Sequence, residues 1–330
     1  MAGKIYVTGD CHHDFKKLNT KSFPQQKELD KEDYMIICGD FGGIWDANET
    51  KDEKWWIDWL DNLNFTVLFV DGNHENFHRL YAYPVTIWNG GKVHKIRENV
   101  IHLMRGQVYE ICGKKIFTMG GASSHDVSGG ILDMDAPDFK ERKKELDAGW
   151  EPYRIRNVSW WEEELPSEAE YNEAHRNLKR YDYDVDYIIT HCCSGGTQDI
   201  LAGSKFFIED DLTAFFDSLK VICRYKKWYF GHYHDNINVN DKEILLYEKI
   251  VELGESIEVT ILGQPKYKVS DEVNFEMFYQ GRLIRVEGVI KEVDAWGDMG
   301  VGDEPTYNVE AKMPDGNVYV VKCVEESAIT

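Results

Sequence analysis

Residues 65–75 read FTVLFVDGNHE, an apolar run of strand length that ends in a glycine, an amide, an imidazole and a carboxylate. Gly-Asn alone is ordinary turn chemistry, because φ > 0 is cheap for both residues. The same event recurs along the chain. KIYVTGDCHHD (4–14) stops at Asp10 and His12, and DYMIICGDFGG (33–43) stops at Asp40. VDYIITHCC (185–193) stops at His191, and KKWYFGHYH (226–234) at His232 and His234. Runs this short, rich in Ile, Val, Tyr and Phe, predict strands buried on both faces. Their ends then gather as loops on one rim.

Helical segments separate the runs. In DEKWWIDWLDNL (52–63) the residues Trp55, Trp56, Trp59, Leu60 and Leu63 recur at helical spacing, which predicts one apolar face with the tryptophans in the core. LPSEAEYNEAHRNLKRY (165–181) offers Ser167 as N-cap, with Glu168 and Glu170 in the first turn where carboxylates favour the helix dipole. DLTAFFDSLKVICRY (211–225) is a third helix, with Phe215, Phe216 and Leu219 facing inward. Strands alternating with helices predict an α/β core. QVYEICGKKIFTMGG (107–121) reads as a hairpin closing around Gly113, so the sheet is expected to be mixed.

The pattern changes after Gly254. From Pro265 the chain alternates in short strands with PDGN as a hairpin turn, a small all-β, barrel-like module. The expected domains are therefore 1–254 and 265–330. Residues 255–330 carry 7 Lys/Arg against 15 Asp/Glu, which argues against an RNA-binding barrel and favours a contact with protein. A net charge of −21 over 330 residues excludes general nucleic-acid coating, since phosphate backbones would be held only through a local positive site. No run approaches the roughly 20 apolar residues that span a bilayer. Seven cysteines without a CxxC pair do not form a disulfide framework. A cytoplasmic protein without membrane contact is the expectation.

Asp10, His12, Asp40, Asn73, His74, His191, His232 and His234 end the predicted strands. Carboxylate oxygens and neutral imidazoles suit Mn(II) above all, and also Fe, Zn or Ni. Two divalent ions at three or four ligands each need seven or eight contacts, with Asp40 placed to bridge. Two such ions, less two aspartates and one hydroxide, leave about +1, enough to hold a phosphate oxygen anion locally. A histidine not consumed as a ligand is the natural proton donor to a leaving alkoxide.

GDCHHD, GDFGG, GNHE, the lone histidine of THCC and GHYH resemble, in order and rough spacing, the motifs of the calcineurin-like metallophosphoesterase superfamily across residues 6–234. The resemblance implies a double β-sheet sandwich flanked by helices with a dinuclear metal site at the strand ends. It implies that Asp10, His12 and His234 hold one metal, that Asp40 bridges, and that Asn73, His191 and His232 hold the other. His74 becomes proton donor and transition-state stabiliser; Glu75 receives no role. GGASSHD (120–126) followed by RNVSWWEEELP (156–166) resembles a subgroup of small bacterial phosphoesterases, which makes His125, Asp126 and Arg156 candidates for substrate contacts.

Two departures matter. His13 stands where the family usually has glycine, and Gly43 replaces the aspartate of GDxVDRG, which argues against a phosphoprotein phosphatase. The expected activity is metal-dependent hydrolysis of a phosphorylated small molecule or nucleotide. A nucleotide phosphodiesterase or nuclease, and a metal-free protein-binding scaffold, are the alternatives. Outside the motifs, His94, His102 and His175 are expected as surface or capping residues and His78 as a solvent-facing helical one. Cys11, Cys38 and Cys192 are expected to turn inward as core.

Overall fold

The computed structural model describes residues 3–202, 208–257, 265–279, 282–294 and 305–329. The chain forms two compact units, Met1–Ile257 and Glu258–Thr330. In the first, a seven-stranded sheet runs in the order Ile250–Glu252, Ile5–Thr8, Tyr34–Ile37, Thr66–Phe69, Val100–Leu103, Gly91–Arg97 and Val85–Trp88. A six-stranded sheet runs Ile237–Asn238, Glu243–Leu245, Lys227–Phe230, Tyr187–Thr190, Lys114–Met119 and Gln107–Ile111. Both are mixed: the motif-bearing strands pair in parallel, while 107–111 and 114–119 form the antiparallel hairpin expected around Gly113.

Side chains alternate between two environments along these strands. Ile5, Val7, Ile36, Cys38 and Leu68 meet Ile116, Ile189, Tyr229 and Ile244 in one core between the sheets. Their neighbours Tyr6, Met35, Ile37, Val67 and Phe69 face outward under helix Lys51–Asp61. Across the sandwich, Phe117, Ile188, Trp228 and Phe230 pack against helices Glu168–Arg180 and Asp211–Ile222. Strands buried on both faces need apolar residues at every position, which explains the continuous runs. Ser167 caps its helix in a capping box with Glu170.

Three sequence expectations are corrected. Trp55 is 56% exposed, because Ile57 and Leu60 supply the buried stripe of the helix, Leu63 just past its end joins them in the core, and Trp56 and Trp59 only flank it. His94 and His102 are not surface residues. The antiparallel register sets them directly opposite, both buried, with their Nδ1 atoms 3.0 Å apart. His102 Nε2 lies 3.0 Å from Asp71 Oδ1, and Arg105 Nε donates to Asp71 Oδ2 at 2.7 Å. Burial, then the neighbouring His102, hold His94 down to about 4.

The second unit is a four-stranded antiparallel sheet, Glu272–Tyr279, Arg282–Asp294, Thr306–Lys312 and Val318–Glu325. It closes over Val273, Phe275, Val286, Ile290, Tyr307 and Val309, and a bridge from Phe275 to Ile329 brings the first strand to the chain terminus. No helix among the described residues is long and apolar enough to cross a membrane.

The two faces of the first helix should respond differently to truncation. Leu60→Ala removes a fully buried side chain and should cost about 2–5 kcal/mol, whereas Trp55→Ala should stay within about 0.5 kcal/mol in chemical denaturation. Equal losses would mean that Trp55 is part of the core.

Candidate active site

Parallel pairing sends the strands ending at Thr8, Ile37, Phe69, Thr190 and Phe230 to one rim, and each motif follows its strand directly. The motif glycines answer to close approach. A Cβ on Gly72 would collide with the Asp40 carboxylate, and one on Gly231 with that of Asp10. Backbone strain collects at the same place: His12, Asp40, His232 and His234 have φ of 46°, 42°, 72° and 51°. Non-glycine residues in this region cost on the order of 1 kcal/mol or more each, and persist where surrounding contacts over-determine them. Those contacts are present: His12 N donates to Asp40 O at 2.8 Å, His232 N to Asp10 Oδ1 at 2.9 Å, and His74 N to Asp40 Oδ1 at 2.8 Å.

Two groups of donor atoms result. Asp10, His12, Asp40 and His234 bring one donor atom each within 4.8 Å of one another, as do Asp40, His191 and His232. Asn73 Oδ1 adjoins the second group, 3.2 Å from His191 Nε2. Oxygen and imidazole donors of this kind fit divalent metal ions, and local hydrogen bonds present them correctly. His191 Nδ1 lies 2.9 Å from Cys38 O and donates to it, which directs Nε2 to the centre. Asn73 Nδ2 donates to Ser124 Oγ at 3.2 Å, and Ser124 Oγ donates to Glu164 Oε2 at 2.7 Å, so the Asn73 oxygen faces inward. The buried Lys17 ammonium donates to the carbonyls of Gly9, Asp10 and Tyr247 at 3.0, 2.6 and 2.7 Å.

The charges agree with this geometry. Burial opposes ionisation of Asp10 and Asp40, but the His191 charge and the surrounding imidazoles outweigh it and hold both below the usual carboxylate range. Burial likewise lowers His191, yet the Asp40 and Asp10 carboxylates raise it to about 9. A proton on His191 supplies positive charge that the carboxylates otherwise draw from a metal.

His74 is half-buried at the rim. Trp45 stacks on it with ring centroids 5.5 Å apart, and Arg154 Nη2 lies 3.2 Å from its Nε2. Burial and the Arg154 charge lower its pKa against the pull of Asp40. Glu75 anchors the turn: one carboxyl oxygen accepts from Phe41 N at 2.8 Å and Gly42 N at 3.4 Å. Burial, then Asp40 and Asp71, push its pKa well above the ordinary value. His125 reaches the cluster through His232, Nε2 to Nε2 at 2.9 Å. Asp126 arrives indirectly, paired with Arg154 at 2.7 Å. His13 adds a polar contact with Asp52 at 2.8 Å. His78 is exposed, while Cys11, Cys38 and Cys192 are buried.

Arg156 is not brought to the cluster. The chain turns at Asn157, φ 58°, and leaves the exposed Arg156 guanidinium over Trp160 and 3.9 Å from Glu162. The arginine at the site is Arg154, two residues earlier. A period of two puts both on one strand face, so the pattern in YRIRN could not choose between them. Trp45 and Lys17 carried no sequence signal of their own, whereas Ser124 and Glu164 lie within GGASSHD and RNVSWWEEELP without having been singled out.

Acidic and imidazole ligands clustered at the carboxyl ends of parallel strands define a metal-dependent hydrolase. The chain belongs to the calcineurin-like phosphoesterase family, which it matches over residues 3–236. Members of this family are hydrolases of phosphoester bonds that use divalent metal ions and act on phosphorylated substrates. Comparison with curated proteins returned no match.

The raised His191 fixes the sign of a pH effect in chelator-treated protein. Its stabilising contribution is fully present below about 6.5 and is lost as pH rises through about 9. Thermal unfolding followed from pH 6 to 10 should show this decline, and His191→Asn should flatten it. A metal-free wild-type protein whose stability rises over that interval would contradict the assignment.

Proposed function

We propose that hydrolysis runs at a two-metal centre, in which Asp10, His12 and His234 hold one ion, Asn73, His191 and His232 hold the other, and Asp40 serves both. The position of Asp40 carries this reading. Its Oδ2 lies 3.6 Å from His12 Nε2 and its Oδ1 lies 3.2 Å from His191 Nε2, so one carboxylate belongs to both donor groups. Two bound divalent ions supply Lewis acidity and ionise the attacking water near neutral pH. The donor set suits Mn(II), with Fe, Zn and Ni also accommodated.

The chain's own residues do the rest. His74 Nε2 is the atom assigned to give a proton to the leaving oxygen, and Trp45 stacked on the ring fixes its plane. A phosphate anion against His74 offsets the burial that depresses its pKa. Arg154 turns from His74 Nε2 to a phosphoryl oxygen as substrate enters, with Asp126 holding its guanidinium in place. His125, beside His232, contacts the substrate from the other side.

We place the protein in the reducing cytoplasm, where buried thiols such as those of Cys11, Cys38 and Cys192 stay reduced. Residues 1–254 are proposed as the catalytic domain and 265–330 as an accessory domain that docks a protein partner. Exposed Val318, Tyr319 and Val320 on the last strand of that sheet support the docking role.

Metal content and kinetics of two variants test the site. Wild-type protein reconstituted with Mn(II) should hold two ions per chain, and Asp40→Asn should lose metal and activity together. His74→Asn should retain both ions while kcat falls roughly 10²- to 10⁴-fold on an alkyl phosphate, with a smaller defect when the leaving group has a low pKa. Absence of metal and of hydrolysis in the wild type would instead favour a scaffold. A chain ending at residue 257 should still hydrolyse a small ester, since every proposed ligand precedes that point. A folded, metal-loaded truncation without activity would assign a catalytic role to the second unit.

A further inference from the structure

The two donor groups are not held alike. His191 is fully buried and its Nδ1 donates to Cys38 O, so burial and a hydrogen bond fix the ring. The His234 side chain is 50% exposed, and among the described residues nothing bonds its Nδ1. An imidazole that presents one nitrogen to a metal is ordinarily steadied through the other. Here a second ring replaces that bond: Tyr247 stacks on His234, with centroids 4.8 Å apart and planes inclined by 22°.

Tyr247 is itself fixed from both sides. Two residues past His234, Asn236 Oδ1 accepts from Tyr247 N and Lys249 N, both at 2.9 Å. The carbonyl of Tyr247 accepts from Lys17 Nζ at 2.7 Å, and the same ammonium donates to the carbonyls of Asp10 at 2.6 Å and Gly9 at 3.0 Å. Lys17 comes from the single turn Lys16–Leu18, is 9% exposed, and stands with its ammonium 5.8 Å from the centre of the Tyr247 ring. An ammonium carries three N–H groups, and each has a carbonyl here. The contacts run from Asp10 through Lys17, Tyr247 and Asn236 back to His234. Where they close, Asp10 Oδ2 and His234 Nε2 lie 3.2 Å apart in one donor group.

We infer that Lys17 and Tyr247 are positioning residues for one ion, that of Asp10, His12 and His234, and raise its affinity while the other ion depends on contacts of its own. This rests on the two-metal reading and adds residues that the motifs do not contain. The cleft of about 340 Å³ lined by His12, Trp45, His74 and Arg154 among others includes neither residue, so both act through the donors and not on substrate. Removing the Lys17 ammonium leaves three carbonyls without their shared donor, which is unfavourable in a buried place and lets the two segments part. Position and charge predict opposite signs. An ammonium beside a divalent ion repels it, so if Lys17 acted by charge alone its removal would tighten binding. If it acts by position, its removal weakens binding.

Mn(II) titrated into the full chain, with free ion counted by electron paramagnetic resonance, reads both affinities, and the spectrum of the bound ions distinguishes an exchange-coupled pair from isolated Mn(II). Wild type should bind two ions as a coupled pair. Tyr247→Leu removes the stack at a half-buried position. It should weaken one ion roughly 10- to 100-fold, leave the other within about 2-fold, and replace the coupled signal at two equivalents by that of isolated Mn(II). Tyr247→Phe keeps the ring and should bind both ions as wild type does. Lys17→Met should weaken the same ion by a similar factor, and tighter binding would overturn its positioning role in favour of charge. Should Lys17→Met fail to fold, the two Tyr247 variants decide. In a His234→Asn chain, which has no ring to hold, Tyr247→Leu should change neither affinity further. A further loss there, equal weakening of both ions by Tyr247→Leu, or affinities that this variant leaves unchanged overturn the inference while the two-metal reading stands. Fewer than two ions in the wild type overturns the two-metal reading itself.

Discussion

Two ionised carboxylates, Asp10 and Asp40, sit at 2% and 1% exposure at the ends of adjacent parallel strands. Unpaired, each would cost several kcal/mol in so dry a place. The surrounding structure meets that demand. Backbone amides of His232 and His74 point at the two carboxylates, His191 is drawn to a raised pKa between them, and His12 and His234 turn their Nε2 atoms inward. The left-handed backbone at His12, Asp40, His232 and His234 is the local cost of aiming so many polar groups at one point. A donor set built this way is prepared by the fold, because its atoms are oriented by contacts among the chain's own residues.

Behind this centre lies a second polar layer. Asp71, which precedes the GNHE turn, is held by Arg105 and His102, and His102 is stacked on His94. Arg105 Nη2 in turn donates to the carbonyl of Glu163 at 2.8 Å, while the Glu164 carboxylate takes both the amide and the hydroxyl of Ser124. Ser124 reaches Asn73. The GNHE turn is therefore gripped from both ends by charged hydrogen bonds inside the protein, where such bonds are strong and their loss expensive. This layer explains why a segment rich in polar residues stays in one conformation.

The polarity of the site follows from the same economy. In a chain of net charge −21 the arginine at the site, Arg154, is itself matched by Asp126, and the buried Lys17 ammonium is taken up by the carbonyls of Gly9, Asp10 and Tyr247. Trp45 contributes on two levels. Its ring both fixes the plane of His74 and, edge to face with Trp161, forms an apolar wall of the cleft.

Local chemistry made much of this legible in the chain itself. Strands buried on both faces must be apolar throughout, so their ends stand out, and polar donors placed directly after strand ends stay next to their glycines in sequence. Hence the strands, the helices with their caps, the mixed sheet and the clustering of Asp10, His12, Asp40, Asn73, His191, His232 and His234 could all be read from spacing and residue type. What sequence could not decide were contacts set by register and by turns far apart in the chain. His94 and His102 became a buried pair because two antiparallel strands align them, and Arg154 rather than Arg156 reached His74 because the chain reverses at Asn157. Trp55 went to solvent because Ile57 and Leu60 already filled the stripe under the helix. Period and composition act along the chain, whereas pairing across 80 residues, as between His74 and Arg154, exists only once the sheets have packed.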